Sequence, residues 1–263
     1  PVAMAAVIIE SDLSLYELQD PPIGEAEKTI AGLAAEMVHD GDTIQLGFGG
    51  IPNAIGFELM NRHDLGIHTE QIGASMARMI KNGVVTNRYK NLDKGWSVGA
   101  FLIADNFTYQ YLNNHPRVMM RRGLYTNDPR IIAQQDNMVA INAALQIDLT
   151  GQVAAEAIAH IQWSGTGGAT DYADCAYHSK GGRAMLCQIS TAKKGTVSRI
   201  APVLDSGSIV SVSRHLTDMV ITEYGVAKLR QRTVKQRVEN LIAVAHPDFR
   251  AELRAEANKY MYF

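Results

Sequence analysis

Three features of this 263-residue sequence predict a layered α/β fold. Apolar strand-like runs alternate with amphipathic helical stretches, the pattern of helices packed on a sheet. A glycine turn, Gly47-Phe48-Gly49-Gly50, directly follows Asp42-Thr43-Ile44-Gln45-Leu46, whose β-branched and apolar residues read as a buried strand. The composition is that of a well-mixed globular chain, 46% hydrophobic with a formal net charge of −2, and the length suffices for one large core or two small ones.

The elements follow in order. Residues 1–24 read as a short strand at Val7-Ile8-Ile9 and then a linker closing on Pro21-Pro22-Ile23-Gly24. Residues 25–263 read as the main domain. It opens with an amphipathic helix over 25–39 that gathers Ile30, Leu33, Ala34, Met37 and Val38 on one face. The strand at 43–47 leads through the glycine turn to a helix over 53–62, with Pro52 near the favoured first turn. Met76 to Ile80 continues as helix until Asn82-Gly83 stops it. Strands are expected near 98–103, 117–121, 138–142, 184–189, 209–213 and 219–222. Helices are expected near 105–113, 226–231, 233–244 and 247–260, the last starting at Pro247 and serving to pack.

Several function classes recede on composition. No apolar run reaches the roughly 18 residues that span a bilayer, and the opening residues lack the basic region of a signal peptide. Near-neutral charge argues against general nucleic-acid binding. Two cysteines, Cys175 and Cys187, lack zinc spacing and read as buried reduced thiols of a cytoplasmic protein. The eight histidines form no metal-ligand pair, so no metal is expected.

Chemistry concentrates around Glu70, at the end of Leu65-Gly66-Ile67-His68-Thr69-Glu70, about twenty residues after the glycine turn. Glycines let backbone N–H groups approach a ligand that carries or develops negative charge. A carboxylate facing such a cradle suits nucleophilic catalysis on an activated acyl group. On the residues alone, a surface or helix-start carboxylate and a plain tight turn are the commoner meanings. The turn is neither a P-loop nor a complete dinucleotide fingerprint.

The residues from Asp40 to Pro52 and from Leu65 to Glu70 resemble the acetyl-CoA hydrolase/transferase family, a branch of the class I CoA-transferases. Further matches follow in order at Asn127-Asp128-Pro129, Ile141 to Gln152, Ser164 to Gly168 with Asp171-Tyr172, Ser198-Arg199-Ile200, Val220 to Ala227, and Ala245-His246-Pro247. The nearest branch is that of the 4-hydroxybutyrate CoA-transferases. The resemblance covers nearly the whole chain. It implies an open three-layer α/β/α sheet of the CoA-transferase type. It also implies that residues 25–263 are the C-terminal catalytic half of a two-half protein, entered through the linker. The expected partners are therefore an acyl-CoA, a short-chain carboxylate, the missing N-terminal half and, in a homo-oligomer, further copies. Nucleic acid and membrane are not among them, and coenzyme A is a substrate rather than a bound cofactor.

By the same resemblance, Glu70 attacks the acyl-CoA thioester and passes through an acyl-glutamyl anhydride to a glutamyl-CoA thioester. The loop Gly47, Phe48, Gly49, Gly50 and Ile51, together with Gly168, supplies the CoA site and oxyanion contacts. Leu145 matches a CoA-contacting position, and Asn127 matches an amide near the catalytic carboxylate. Read from the residues, Asn-Asp-Pro is equally a turn and Gly165-Thr166-Gly167-Gly168 a flexible loop. Glu223, after the strand-like Met219-Val220-Ile221, is the rival nucleophile. His68 is a packing or orienting residue, or a general base. Ser198, Arg199 and Arg214 meet CoA phosphates or form internal ion pairs. The alternatives to transfer are acyl-CoA hydrolysis on the same site and CoA or partner binding without turnover.

Overall fold

The computed structural model describes residues 6–18, 22–260 and 262. Strand β1, Thr43–Leu46, is buried at all four positions, as expected of a parallel strand covered on both faces. Beside it lie β2 (Gly66–Ile67), β3 (Met138–Ala143), β4 (Arg183–Cys187), β5 (Met219–Thr222) and β6 (Gly225–Lys228). Their spatial order is β6-β5-β4-β3-β1-β2. All pairings are parallel except β5 with β6.

Side chains on these strands alternate between two cores. Val139, Ile141, Met185, Cys187, Met219 and Ile221 face one side, where helices α1 (Glu25–Glu36) and α2 (Gly50–Glu58) pack. Met138, Ala140, Ala184, Leu186 and Val220 face the other, covered by α4 (Ala169–His178) and α5 (Val234–Val244). Helix α3 (Ala74–Lys81) packs on α2, and α6 (Pro247–Lys259) on α5. The expected open three-layer α/β/α arrangement is what forms. The chain lays β2 on one side of β1 and then crosses to place β3 on the other. This reversal opens a crevice at the carboxyl ends of β1 and β3, where open α/β sheets bind ligands.

Some expectations change. Val7-Ile8-Ile9 forms no strand; these residues are exposed and pair with none of the described strands. Pro21 lies outside the described residues. The helix expected over 226–231 is instead β6. Thr222 pairs with Gly225 across a two-residue turn, and Gly225 holds φ +136°, so the chain doubles back as a hairpin. Residues 209–213 contribute only a bridge from Val212 to Val153. Helix α4 was not anticipated, because glycines lead into it and its apolar stripe is short. Cys175 and Cys187 are buried and unpaired. No helix among the described residues is long and apolar enough to cross a membrane.

Candidate active site

The site grows from the carboxyl edge of the sheet. β1 ends at Leu46 and β2 at Ile67 in parallel register, so the glycine loop and Glu70 emerge at the same edge. Gly47 is pressed against β3: a Cβ there would lie 2.6 Å from Asn142 Oδ1 and 3.3 Å from backbone. Asn142 and Gln45 exchange two amide hydrogen bonds beneath it, at 2.9 and 3.1 Å. Gly49 has φ +127° and open space around it, so its glycine is conformational. It forms the start of α2 with no side-chain cap. Phe48 projects into solvent at 60% exposure.

Glu70 is half-buried, and its carbonyl accepts from the N–H groups of Ala100 and Phe101, at 2.7 and 3.1 Å. Its side chain lines a cleft of about 860 Å³ with Phe101, Leu124, Asn127, Arg130 and Asp171. Gly168 defines the meeting point. A Cβ on Gly168 would lie 2.6 Å from both Glu70 Oε2 and Asn127 Nδ2. Its φ of −102° is open to any residue, so glycine stands there for space. Gly168 is also the N-cap of α4, with no side chain capping it, and this positive helix end adjoins the carboxylate.

The loop Gly47 to Gly50 lines a second, smaller cavity of about 200 Å³, with Gln71, Gly73 and Ile103. Glu70 and Gln71 are consecutive in an extended segment, so they face opposite sides and serve the two cavities separately. Ile51 opens the first turn of α2 and packs partly on the core. Leu145 is half-buried beyond β3, donates its N–H to Ala154 O at 2.9 Å, and lines neither cavity.

Two buried basic side chains underlie the Glu70 segment, Lys90 and a neutral His68. Lys90 is 1% exposed and donates to Ile67 O at 2.9 Å and Trp96 O at 2.7 Å; burial lowers its pKa to about 8. His68 is fully buried, with Nε2 3.2 Å from Thr126 O. Burial first, and the Lys90 charge second, lower its pKa to about 4. A neutral, enclosed imidazole serves packing and orientation rather than proton abstraction. The unfolded chain binds the His68 proton first as pH falls from 6.5 towards about 4. This group's contribution is therefore complete above 6.5 and declines by up to about 3 kcal/mol on acidification. Urea unfolding across that range should lose this part of its pH dependence in His68→Gln. An unchanged slope would assign the dependence to another group.

The conserved-domain model for the acetyl-CoA hydrolase/transferase C-terminal domain matches residues 105–257, more than half of the chain. The chain belongs to the acetyl-CoA hydrolase/transferase family. It is 44% identical over 252 residues to succinyl-CoA:cyclohexane-1-carboxylate CoA transferase of Geobacter metallireducens, covering 96% of this chain and 58% of that one. It is also 44% identical to 4-hydroxybutyrate coenzyme A transferase of Clostridium kluyveri, covering 96% and 59%. The crystal structure of a Porphyromonas gingivalis 4-hydroxybutyrate CoA-transferase superimposes with a TM-score of 0.84 at 38% identity, covering 96% and 59%. The chain thus spans under two thirds of the length of these relatives. An alignment of 252 residues necessarily includes Glu70, which lies before the family-model match.

Within this acetyl-CoA hydrolase/transferase chain, Glu70, Asn127 and Gly168 come together, and Glu223 does not join them. The Glu223 carboxylate accepts from Ser190 N at 2.8 Å and Ser190 Oγ at 2.6 Å at the turn between β5 and β6. Arg199 lies half-buried beside it; burial lowers the Arg199 pKa and the Glu223 charge opposes that. Arg214 takes part through its carbonyl, which accepts from Arg237 at 2.7 Å. Asp128 caps the short helix Pro129–Ile132 through Arg130 N at 2.9 Å, so Asn-Asp-Pro is a capped turn whose Asn127 lines the Glu70 cleft. Sequence reasoning passed over Asp171 and Tyr172 as site residues. They lie three and four residues beyond Gly168, one turn along α4, and that spacing becomes a signal once the helix is recognised. Asp171 accepts from Asn127 Nδ2 at 3.5 Å. Burial raises its pKa, the Asn127 bond opposes this, and the Glu70 and Asp174 charges add to the rise.

Proposed function

We propose that this chain is the catalytic half of a CoA-transferase that moves CoA between a short-chain acyl-CoA and a carboxylate, with Glu70 as covalent nucleophile. The observation that carries this reading is the convergence at Gly168. A carboxylate oxygen and an amide donor both lie 2.6 Å from the space its missing Cβ leaves.

The chemistry then runs in balanced exchanges. A Glu70 carboxylate oxygen attacks the acyl carbonyl, the C–S bond breaks and CoA leaves as thiolate. The thiolate attacks the glutamyl carbonyl of the mixed anhydride, expels the donor carboxylate and forms a glutamyl-CoA thioester. The acceptor carboxylate attacks that thioester, giving a new anhydride and free thiolate. Attack of the thiolate on the new acyl carbonyl yields acyl-CoA and regenerates Glu70. Each addition places negative charge on an oxygen, for which Asn127 Nδ2 and the uncapped start of α4 are suitable partners. The Gly47 to Ile51 loop and its cavity suit the CoA chain, and Leu145 is assigned a CoA contact further along the sheet edge. The region that the transferase relatives carry beyond the matched length is the proposed partner covering the cleft and sharing the acyl pocket. The isolated chain is then expected to turn over slowly until that region is supplied.

The test is acyl-CoA treatment followed by borohydride reduction and peptide mass analysis, alongside CoA release with and without acceptor carboxylate. Transfer predicts modification on the Glu70 peptide and acceptor-dependent formation of the acceptor's CoA ester, with ping-pong kinetics and no net release of free CoA. Release independent of acceptor would make the chain a hydrolase. A stable complex with acyl-CoA but no adduct would make it a binding module.

A further inference from the structure

One backbone carbonyl ties together the three segments that meet at Glu70. Thr126 O accepts from Tyr172 OH at 2.7 Å and lies 3.2 Å from His68 Nε2. His68, Thr126 and Tyr172 are all fully buried. His68 precedes Glu70 by two residues, Thr126 precedes Asn127, and Tyr172 follows Gly168 by one helical turn. Because a carbonyl only accepts, His68 carries its proton on Nε2, and Nδ1 is left as a buried lone pair without a partner. Thr126 Oγ1 donates to Asn127 Oδ1 at 2.9 Å. With the carboxamide oxygen held in this way, its NH2 group faces Asp171 and lies, like Glu70 Oε2, beside Gly168.

We infer that Thr126 is the pivot of a buried positioning network, in which His68 and Tyr172 hold its carbonyl and its hydroxyl sets the orientation of the Asn127 amide at Glu70. These residues touch no reacting atom; they act through Asn127. The inference rests on the proposed role of Asn127 at the covalent step. It adds that a single carbonyl fixes the spacing between the nucleophile strand, the amide and the start of α4. Small changes in donor geometry carry large rate effects, so an orienting hydroxyl matters beyond its own hydrogen bond.

The test uses Thr126→Val and Tyr172→Phe, each removing one hydroxyl with little change of shape, in the preparation that forms the Glu70 adduct. Each is expected to slow adduct formation about tenfold, the cost of one hydrogen bond that orients the donor, with KM for acyl-CoA unchanged. His68→Gln, which retains an amide donor near Nε2, should keep more activity than His68→Leu. In an Asn127→Ala background, Thr126→Val and Tyr172→Phe should have no further effect, because the group they position is gone. Effects that multiply with Asn127→Ala, or adduct rates at the wild-type level, would overturn the inference. If Asn127→Ala itself forms adduct at the wild-type rate, the proposed active site is wrong. A readout independent of turnover is the side-chain amide NMR signal of Asn127. Thr126→Val should move it towards the position of a free carboxamide, and an unmoved signal would overturn the network whatever the activity.

Discussion

Glu70→Ala should abolish the covalent adduct and lower transfer by about four orders of magnitude or more, the scale of losing a nucleophile, while the protein remains folded. The reason is geometric as well as chemical. Glu70 is half-buried at the end of a short strand, and its backbone rather than its carboxylate is held by Ala100 and Phe101. Removing the side chain leaves those bonds in place, so the stability change should stay within about 1 kcal/mol. A second readout needs no substrate. The Glu70 charge contributes to the raised pKa of Asp171, so Asp171 should titrate lower in Glu70→Ala, by carboxyl NMR. Glu223→Ala is the contrasting variant. It takes away the acceptor of two Ser190 hydrogen bonds and should cost about 1–3 kcal/mol of stability, with the adduct still forming at Glu70. Adduct retained in Glu70→Ala, or lost in a folded Glu223→Ala, reverses the assignment.

Gly168→Ala should lower the rate about a hundredfold, corresponding to roughly 3 kcal/mol of transition-state stabilisation, with near-normal folding. The backbone at Gly168 has φ −102°, so alanine meets no conformational penalty. Its Cβ would fall 2.6 Å from Glu70 Oε2 and Asn127 Nδ2, and 3.2 Å from the Tyr172 ring. The two closest atoms end flexible side chains on the cleft wall, and they relieve the clash by swinging away. The cost therefore falls on the alignment of nucleophile and donor, and Gly168→Val enlarges it. Stopped-flow measurement of donor acyl-CoA consumption, paired with thermal melting, separates the two effects. Wild-type turnover in Gly168→Ala would show that the space beside Glu70 is not used. Gly49→Ala makes the opposite case. Its Cβ has room, but φ +127° is strained for an L side chain, so its defect should appear first in loop conformation and stability.

Local pattern was sufficient where an element buries a face of its own period. Thr43 to Leu46, Met138 to Ala143 and Val234 to Val244 lie close to where their apolar spacing placed them. Local pattern misled at 226–231, where Val226 and Ala227 suit helix and strand alike. Pairing with β5 through the turn at Gly225 decided the matter. It also misled at Val7-Ile8-Ile9, which has strand composition but pairs with none of the described strands.

The candidate site divides in the same way. Glu70 and the glycine turn were legible together because each follows a short strand, and strand ends in an α/β sheet share one edge. Asn127 and Gly168 were legible through family motifs alone. Nothing in their own composition separates them from an ordinary turn and an ordinary loop. Asp171-Tyr172 stood in a family motif, but the roles of Asp171, Tyr172 and Thr126 required the fold. What links them to Glu70 is a helix start and a shared carbonyl rather than spacing in the chain.

By itself, then, the sequence determined the layered α/β class and the family, and it nominated Glu70 as the nucleophile to be tested, because these follow from periodicity and from motifs that are contiguous in the chain. Only the tertiary structure decided that Glu223 is tied to Ser190, that His68 is neutral and enclosed, and that Gly168 is a space rather than a hinge. Each of those depends on which surfaces meet across the sheet. Burial and distance are properties of that meeting, and no window of neighbouring residues contains them.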